Sequence, residues 1–531
     1  MRHLTAAALI AILGTVVPDS APAELSPTDW RSKVAPSVLL AAERGGENEF
    51  LVLFSEQPDL TPTRAIRAKQ AKGRYVMRRL TEAANRSQAG LVAELTGKVS
   101  VVQRFWLVNM VRVRGDAAAL RLAAERSEVA RVLPNPAVRF DGPIGEAIDS
   151  PESTTAVEWG VSMIEAPAFW TAGFTGQNVV VAGQDTGYRW THNAIKAKYR
   201  GWNGSTASHD YNWHDAITAA TNAGTGNGGG GDCGLSALAP CDDDNVNGHG
   251  THTMGTMVGD DGGTNQVGVA PGARWIGCRN MNVGVGSPAT YIDCFQFFVA
   301  PTNLAGASPD PSKAPHVINN SWGCDASEGC SDVTPLLRQA VEAARAAGIL
   351  VVVSAGNSGS GCSTVSNPAA IYQAAFTVGS TTSTNAISSF SSRGPVTFDG
   401  SNRKKPNVSA PGSSIRSATS GSDVGYKTLS GTSMAGPHVA GLSALLMSRA
   451  SWLIGHPHLL ETHMERSSAP FTSVQTCGGV PGTARPNNTF GFGRVRAVVP
   501  VAEGVVTDFD NDGTSEAVIY RNGAWLFFPI P

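Results

Sequence analysis

Charge is scarce in this chain of 531 residues: Asp, Glu, Lys and Arg make up 16% of it, where about a quarter is usual. The 41 basic and 43 acidic residues leave a net charge of −2. So even a balance gives no partner away, and so low a charge content argues against a disordered chain or a nucleic-acid binder. Long apolar runs are missing too; none approaches the ~18 residues of a membrane-spanning helix. Cysteine is absent from the first 232 residues. Two catalytic signatures are also lacking, the HExxH zinc helix and the G-x-S-x-G nucleophile elbow.

What is present is length enough for two or three domains, and 59 glycines, the profile of a loop-rich exported protein. The opening MRHLTAAALIAILGTVVPDSAPA has a basic start, an apolar stretch and a small-x-small site at Ala21–Ala23. It reads as a secretory signal over residues 1–23, hence a secreted, extracellular product. All eight cysteines lie between Cys233 and Cys477, and an even count in an exported chain favours disulfides over metal. Short separations suggest Cys233–Cys241, Cys278–Cys294 and Cys324–Cys330, which leaves Cys362–Cys477.

Residues 50–140 form a distinct unit. Phe50–Phe54 reads as a strand, Thr63–Leu95 as a long basic helix and VSVVQRFWLVNMVRVRG as a strand pair. Asp116–Glu128 reads as a capped amphipathic helix and Val129–Phe140 as a closing strand. That β-α-β-β-α-β order is ferredoxin-like. Residues 50–139 carry 16 Lys/Arg against 7 Asp/Glu, an excess of +9, so the rest of the chain must sum to −11 to give −2 overall. A basic leader docked on an acidic body accounts for that split; a merely solvated basic face accounts for it equally well.

From Val157 to about Val499 short β-branched runs alternate with helical stretches such as Pro335–Ala347. The texture is that of an α/β fold, a parallel sheet flanked by helices, whose ligands bind beyond the carboxyl ends of the strands. Three runs leave polar residues at that exit: NVVVAGQDTG at Asp185, HVINNSWG at Ser321, and GILVVVSAGN at Asn357. NGHGTHTMGT supplies His249 and His252 ahead of a helix. LSGTSMAGPHVAGLSALL places Ser433 just before an apolar run, with Pro437 expected in the first helical turn. Each alone has an ordinary reading, a helix cap or a satisfied core histidine. Together they supply a nucleophile (Ser433), a base (His249), a carboxylate to orient it (Asp185), and an amide donor for an oxyanion (Asn357) beside the Ser433 N–H. The order Asp, His, Ser sets aside the lipase arrangement of Ser, Asp, His.

QDTG, NGHGTH, SAGN and GTSMAGPHVAG, in this order, resemble the motifs of the subtilisin-like serine peptidases (subtilases), and the resemblance spans about Trp159 to Ala497. It implies a serine endopeptidase with Asp185, His249 and Ser433 as triad and Asn357 in the oxyanion hole. It also implies that Ser321, Trp322, Gly323, Ala355 and Gly356 border the cleft for protein or peptide substrates. His252 is then structural. RWTHNAIKAKYRGWNGS and HDYNWHDA resemble the bacillopeptidase F-like branch. Residues 50–140 resemble the family's inhibitory propeptide, which acts as intramolecular inhibitor and folding aid and is removed autocatalytically, here within Asp141–Glu158. Gln184, where an aliphatic residue is usual, and Gly436, where many relatives have Ser or Thr, depart from the pattern. A non-catalytic homologue that keeps the scaffold is the competing class; the complete triad argues against it.

The chemistry needs no cofactor, and the acids Asp242–Asp244 fit a solvated turn. The tail, residues 500–531, resembles one FG-GAP-type repeat. Asp508, Asp510, Asp512, the Thr514 carbonyl and Glu516 are expected to form an oxygen shell for structural calcium, although alternating acids also suit a plain surface turn. A single such unit cannot bury its own face, so it packs on the body or belongs to a longer array. Calcium titration by calorimetry distinguishes shell from turn. Binding that Asp510→Ala abolishes is the expected result, and equal heats in parent and variant would leave only the turn.

Overall fold

The computed structural model describes residues 29–140, 142–150, 157–218, 231–244, 247–324, 328–331 and 333–499, and the backbone of three strands in the tail. The signal segment expected at 1–23 lies outside them. In the N-terminal unit, β1 (Asn48–Phe54), α1 (Lys69–Leu95), β2 (Val101–Phe105), β3 (Met110–Gly115), α2 (Ala117–Glu125) and β4 (Val129–Pro134) follow the expected order. The four strands are antiparallel in the spatial order β2-β3-β1-β4. Asp116 caps α2, its carboxylate accepting from the N–H groups of Ala118 and Ala119 at 3.0 Å.

Two expectations for this unit need correction. The long helix begins at Lys69, because Thr61–Ala65 winds as a separate 3-10 turn and Ala68 is extended. The closing strand breaks at Asn135–Ala137, where Pro136 has no N–H for a ladder. Its remainder, β5 (Val138–Arg139), leaves the unit to pair with the body.

The body is built on β6 (Val180–Asp185), β7 (Trp213–Asp215), α3 (His249–Val258) and β8 (Arg274–Arg279), followed by the hairpin β9 (Met281–Asn282) and β10 (Val285–Gly286). Then come α4 (Pro288–Val299), β11 (Val317–Asn320), α5 (Thr334–Ala346), β12 (Leu350–Ser354), β13 (Phe376–Thr381) and β14 (Val408–Pro411). Next are β15 (Ile415–Ala418), β16 (Tyr426–Leu429) and α6 (Thr432–Arg449). Seven strands form one parallel sheet in the order β14-β13-β12-β11-β6-β8-β7. Its inner strands are buried on both faces, which explains the apolar run LVVV in β12, whereas the buried Asn319, Asn320, Thr377 and Ser380 break the run in β11 and β13. All four expected disulfides are formed: Cys233–Cys241, Cys278–Cys294, Cys324–Cys330 and Cys362–Cys477. The tail carries an antiparallel three-stranded sheet, Glu503–Thr507, Glu516–Arg521 and Ala524–Pro529. No helix among the described residues is long and apolar enough to cross a membrane.

The basic unit docks on the body through hydrogen bonds of several kinds, two of them from buried lysines to backbone carbonyls and others to side-chain acceptors. Its ion pairs Arg86–Glu56, Arg112–Glu49 and Arg126–Glu94 close within the unit itself. The buried ammonium of Lys69 donates to Ala314 O at 3.0 Å and that of Lys72 to Gly455 O at 2.7 Å. Gln296 Oε1, on α4, accepts from the N–H groups of Trp106 and Leu107. Burial, with Arg200 nearby, pulls the Lys69 pKa down to about 7.

An unfolded chain keeps Lys69 charged to about pH 10.4. Between about 7 and 10 the unfolded chain therefore holds the extra proton, and the contribution of Lys69 to stability rises with pH. In thermal unfolding of the Ser433→Ala protein with its leader attached, the melting temperature relative to the same protein carrying Lys69→Met should climb between pH 7 and 9.5. Parallel profiles would contradict the burial of a titrating amine.

Candidate active site

Asp185 is the last residue of β6, His249 the first of α3 and Ser433 the second of α6. The start of α3 is set by Gly248, which is left-handed at φ 61°; a Cβ there would lie 2.3 Å from the Ser420 nitrogen. Two carboxylates serve the helix's open N–H groups. Asp244 Oδ2 accepts from His249 N at 3.2 Å. Asp242 Oδ2 accepts from Thr251 N at 2.9 Å and from its hydroxyl at 2.6 Å. The solvated turn expected at Asp242–Asp244 is thus corrected: Asp242 and Asp243 are buried. Burial pushes their pKa values up, to about 7 and about 8, although Thr251 hydrogen bonds oppose the rise at Asp242. Acids just ahead of a histidine that opens a helix were the sequence signal for this arrangement.

His249 Nδ1 donates to Asp185 Oδ1 at 2.7 Å, and both side chains are buried. Asp185 is further held by Thr186 N at 2.8 Å, while the Thr253 hydroxyl, 3.4 Å from its other oxygen, donates to Gly250 O at 2.9 Å. Burial works against a charge on His249. The Asp185 carboxylate, with Asp244 and Asp242 behind it, outweighs that and raises the imidazole pKa above its ordinary value. His252 donates Nε2–H to the carbonyls of Ile415 and Lys427, and burial drives its pKa down to about 3, so it ties β15 to β16 as a neutral ring.

Ser433 sits at the helix mouth, as expected, but Pro437 lies in the second turn of α6 rather than the first. Proline has no N–H to donate to the carbonyl four residues back. That carbonyl belongs to Ser433, and the Ser321 hydroxyl donates to it instead, at 3.1 Å. The Ser433 hydroxyl in turn donates to Ser321 O at 3.4 Å. His249 Nε2 is buried without a hydrogen-bond partner, so Asp185 and His249 are joined while Ser433 is bonded elsewhere. Asn357 Oδ1 accepts from Thr432 N and the Thr432 hydroxyl, both at 2.9 Å, which leaves its Nδ2 as the free donor. Gly436 has a packing reason: a Cβ there would come within 2.9 Å of Asn319 Oδ1.

The cleft beside Ser433 is lined by Ser321, Trp322, Gly323, Gly356 and Asn357, and also by Ser354, Asn367, Ala370, Thr432 and Glu328. Ala355 is buried beside it, its N–H bonded to Val378 O, and does not form the wall. Trp322 stacks on Tyr291 with ring centroids 4.0 Å apart. The sequence did not single out the residues that enter the cleft, Arg139, Phe140 and Gly142 at the end of the leader. β5 pairs antiparallel with β10, Phe140 N donates to Gly284 O at 2.8 Å, and Arg139 N donates to Glu328 Oε1 at 2.8 Å. The Phe140 ring packs edge-on against the His249 imidazole at 4.3 Å, and Ile144 N donates to Ser430 O at 2.7 Å on the far side. The only advance signal was Pro136, which ends the leader's own strand. Of the expected calcium ligands, Asp508, Asp510, Asp512 and Thr514 lie outside the described residues, and only the backbone of Glu516 is described.

Residues 176–493 match the model of the Subtilase family. Bacillopeptidase F of Bacillus subtilis (strain 168) is 32% identical over 514 residues, 90% of this chain and 33% of that protein, so the chain spans about a third of that relative's length. M-protease of Shouchella clausii (strain KSM-K16) is 31% identical over 321 residues, 60% of this chain and 67% of the relative. Subtilisin E of Bacillus subtilis (strain 168) is 30% identical over 362 residues, 68% and 75% respectively.

The electrostatics of the buried pair can be tested directly. Titration of the His249 imidazole by NMR should give a pKa above 6.5 in the parent and a lower one in Asp185→Asn, which removes the charge that outweighs burial. An unchanged midpoint would mean that the carboxylate does not govern the ring.

Proposed function

Because the chain belongs to the Subtilase family, we propose that it is a serine endopeptidase, secreted as a precursor, that hydrolyses protein substrates with Asp185, His249 and Ser433 as its catalytic triad. The observation that carries this reading is the buried 2.7 Å bond between Asp185 and His249, whose ring packs on Phe140, a residue that lines the cleft together with Ser433. Asp185 fixes the imidazole tautomer with Nδ1 protonated, so Nε2 is the basic atom. The Ser433 hydroxyl turns from Ser321 O toward that nitrogen, gives up its proton and attacks the substrate carbonyl. The oxyanion accepts from Asn357 Nδ2 and from the Ser433 N–H, the second of α6, which helix geometry leaves without an intrahelical acceptor. His249 then protonates the leaving amine, and water repeats the sequence to free the acid. No cofactor enters any step. Structural calcium at Asp508, Asp510, Asp512, Thr514 and Glu516 belongs to this reading on the alternation of acids alone.

In the same reading residues 50–140 are an inhibitory propeptide. Support comes from Val138–Phe140, which lies along β10 as an added strand, the mode in which an extended peptide binds a sheet edge. Phe140 and Gly142 both border the cavity at Ser433, so the bond cut first lies between Phe140 and Ile144.

Ser433→Ala is expected to lower kcat on the order of 10⁶-fold and to keep the leader attached. Asn357→Ala should cost about 10²–10³-fold in kcat. N-terminal sequencing of the purified parent should begin within residues 141–144. Peptidase activity at parental level in Ser433→Ala, or self-removal of its leader, would refute the mechanism.

A further inference from the structure

Gln184 interrupts the apolar run of β6 one residue before Asp185, and it is wholly buried. Its two amide atoms are both engaged across the sheet. Nε2 donates to Asn320 Oδ1 at 2.7 Å, and Oε1 accepts from Asn280 Nδ2 at 3.1 Å. Asn320 continues the line, donating Nδ2–H to Val352 O at 3.0 Å. All three amides have no solvent exposure. The line runs crosswise from the residue just after β8, through β6 and β11, to β12, four neighbouring strands at their carboxyl ends.

Each end of this tie stands next to the catalytic groups. Asn280 N donates to Asp185 O at 3.1 Å. Asn320 precedes Ser321, whose hydroxyl and carbonyl make the two bonds to Ser433. A leucine or valine would fill the core without having to find polar partners, so three linked amides, kept even though Asn280 Oδ1 is left buried without a partner, specify something that apolar packing would not. We propose that Gln184 is a positioning residue that fixes the lateral spacing between the strand carrying Asp185 and the strand that grips Ser433. This inference rests on the triad reading above. Errors of about 1 Å in such spacing can cost 10²-fold in rate, and they act on the bond-making step more than on peptide binding at β10.

The test measures kcat per active site, counted by burst titration with an acylating ester so that misfolded protein drops out. Gln184→Leu should lower kcat at least fivefold with KM within twofold of the parent. The triple variant Gln184→Leu, Asn280→Leu, Asn320→Leu leaves none of the three amides unpaired; it should regain melting temperature but not kcat. A smaller fall in kcat, a loss confined to KM, or recovery of kcat in the triple variant would overturn the proposal. A parent without burst or turnover would instead refute the triad itself.

Discussion

The buried hydrogen bond between Asp185 and His249 is the constraint around which the rest is arranged. A carboxylate and an imidazole removed from water must satisfy each other or pay a large desolvation cost. The fold meets that demand by ending an inner strand, β6, at one partner and starting a helix at the other. The chain around them supplies what the pair still lacks. The Thr186 N–H is a second donor to the carboxylate oxygen that His249 engages. Asp242 and Asp244 hold the helix terminus and favour a positive imidazole. Such a site stores charge stabilisation before any substrate arrives, which is the form in which electrostatics speeds a reaction.

The second determinant is the strand that crosses from one unit to the other. Val138–Arg139 is lost to the leader's sheet and gained by the body's hairpin edge, and the chain then passes over His249 at Phe140. One continuous segment therefore joins the docking of the basic unit to the covering of the imidazole. The docking includes buried lysines on carbonyls, Gln296 on two N–H groups, and neutral donors on Asp293 and Glu328, so net charge alone was a poor guide to its chemistry.

Much of the fold and site was legible in the sequence because its signals are local. β-branched runs mark doubly covered strands, Asp116 marks a helix start, and Asp185, His249, Asn357 and Ser433 each stand in a short motif at an element's end. The four disulfides followed from short spacing and elimination. What escaped is what depends on neighbours distant in the chain. Asp242 and Asp243 looked like a surface turn until tertiary contacts buried them against Thr251, Val283 and Arg279. The displaced turn of Pro437 is intelligible only with the Ser321 hydroxyl in view, 112 residues away. Phe140 gave no sign of the imidazole it covers, because a strand's partner is not written in its own alternation.

The most direct test of the central claim is covalent labelling with a fluorophosphonate, mapped by peptide mass spectrometry on the leader-free protein. If Asp185 and His249 activate Ser433, a single adduct forms on the peptide bearing Ser433 and disappears in His249→Ala. No adduct in the parent, an adduct on another serine, or undiminished labelling without His249 would contradict the account.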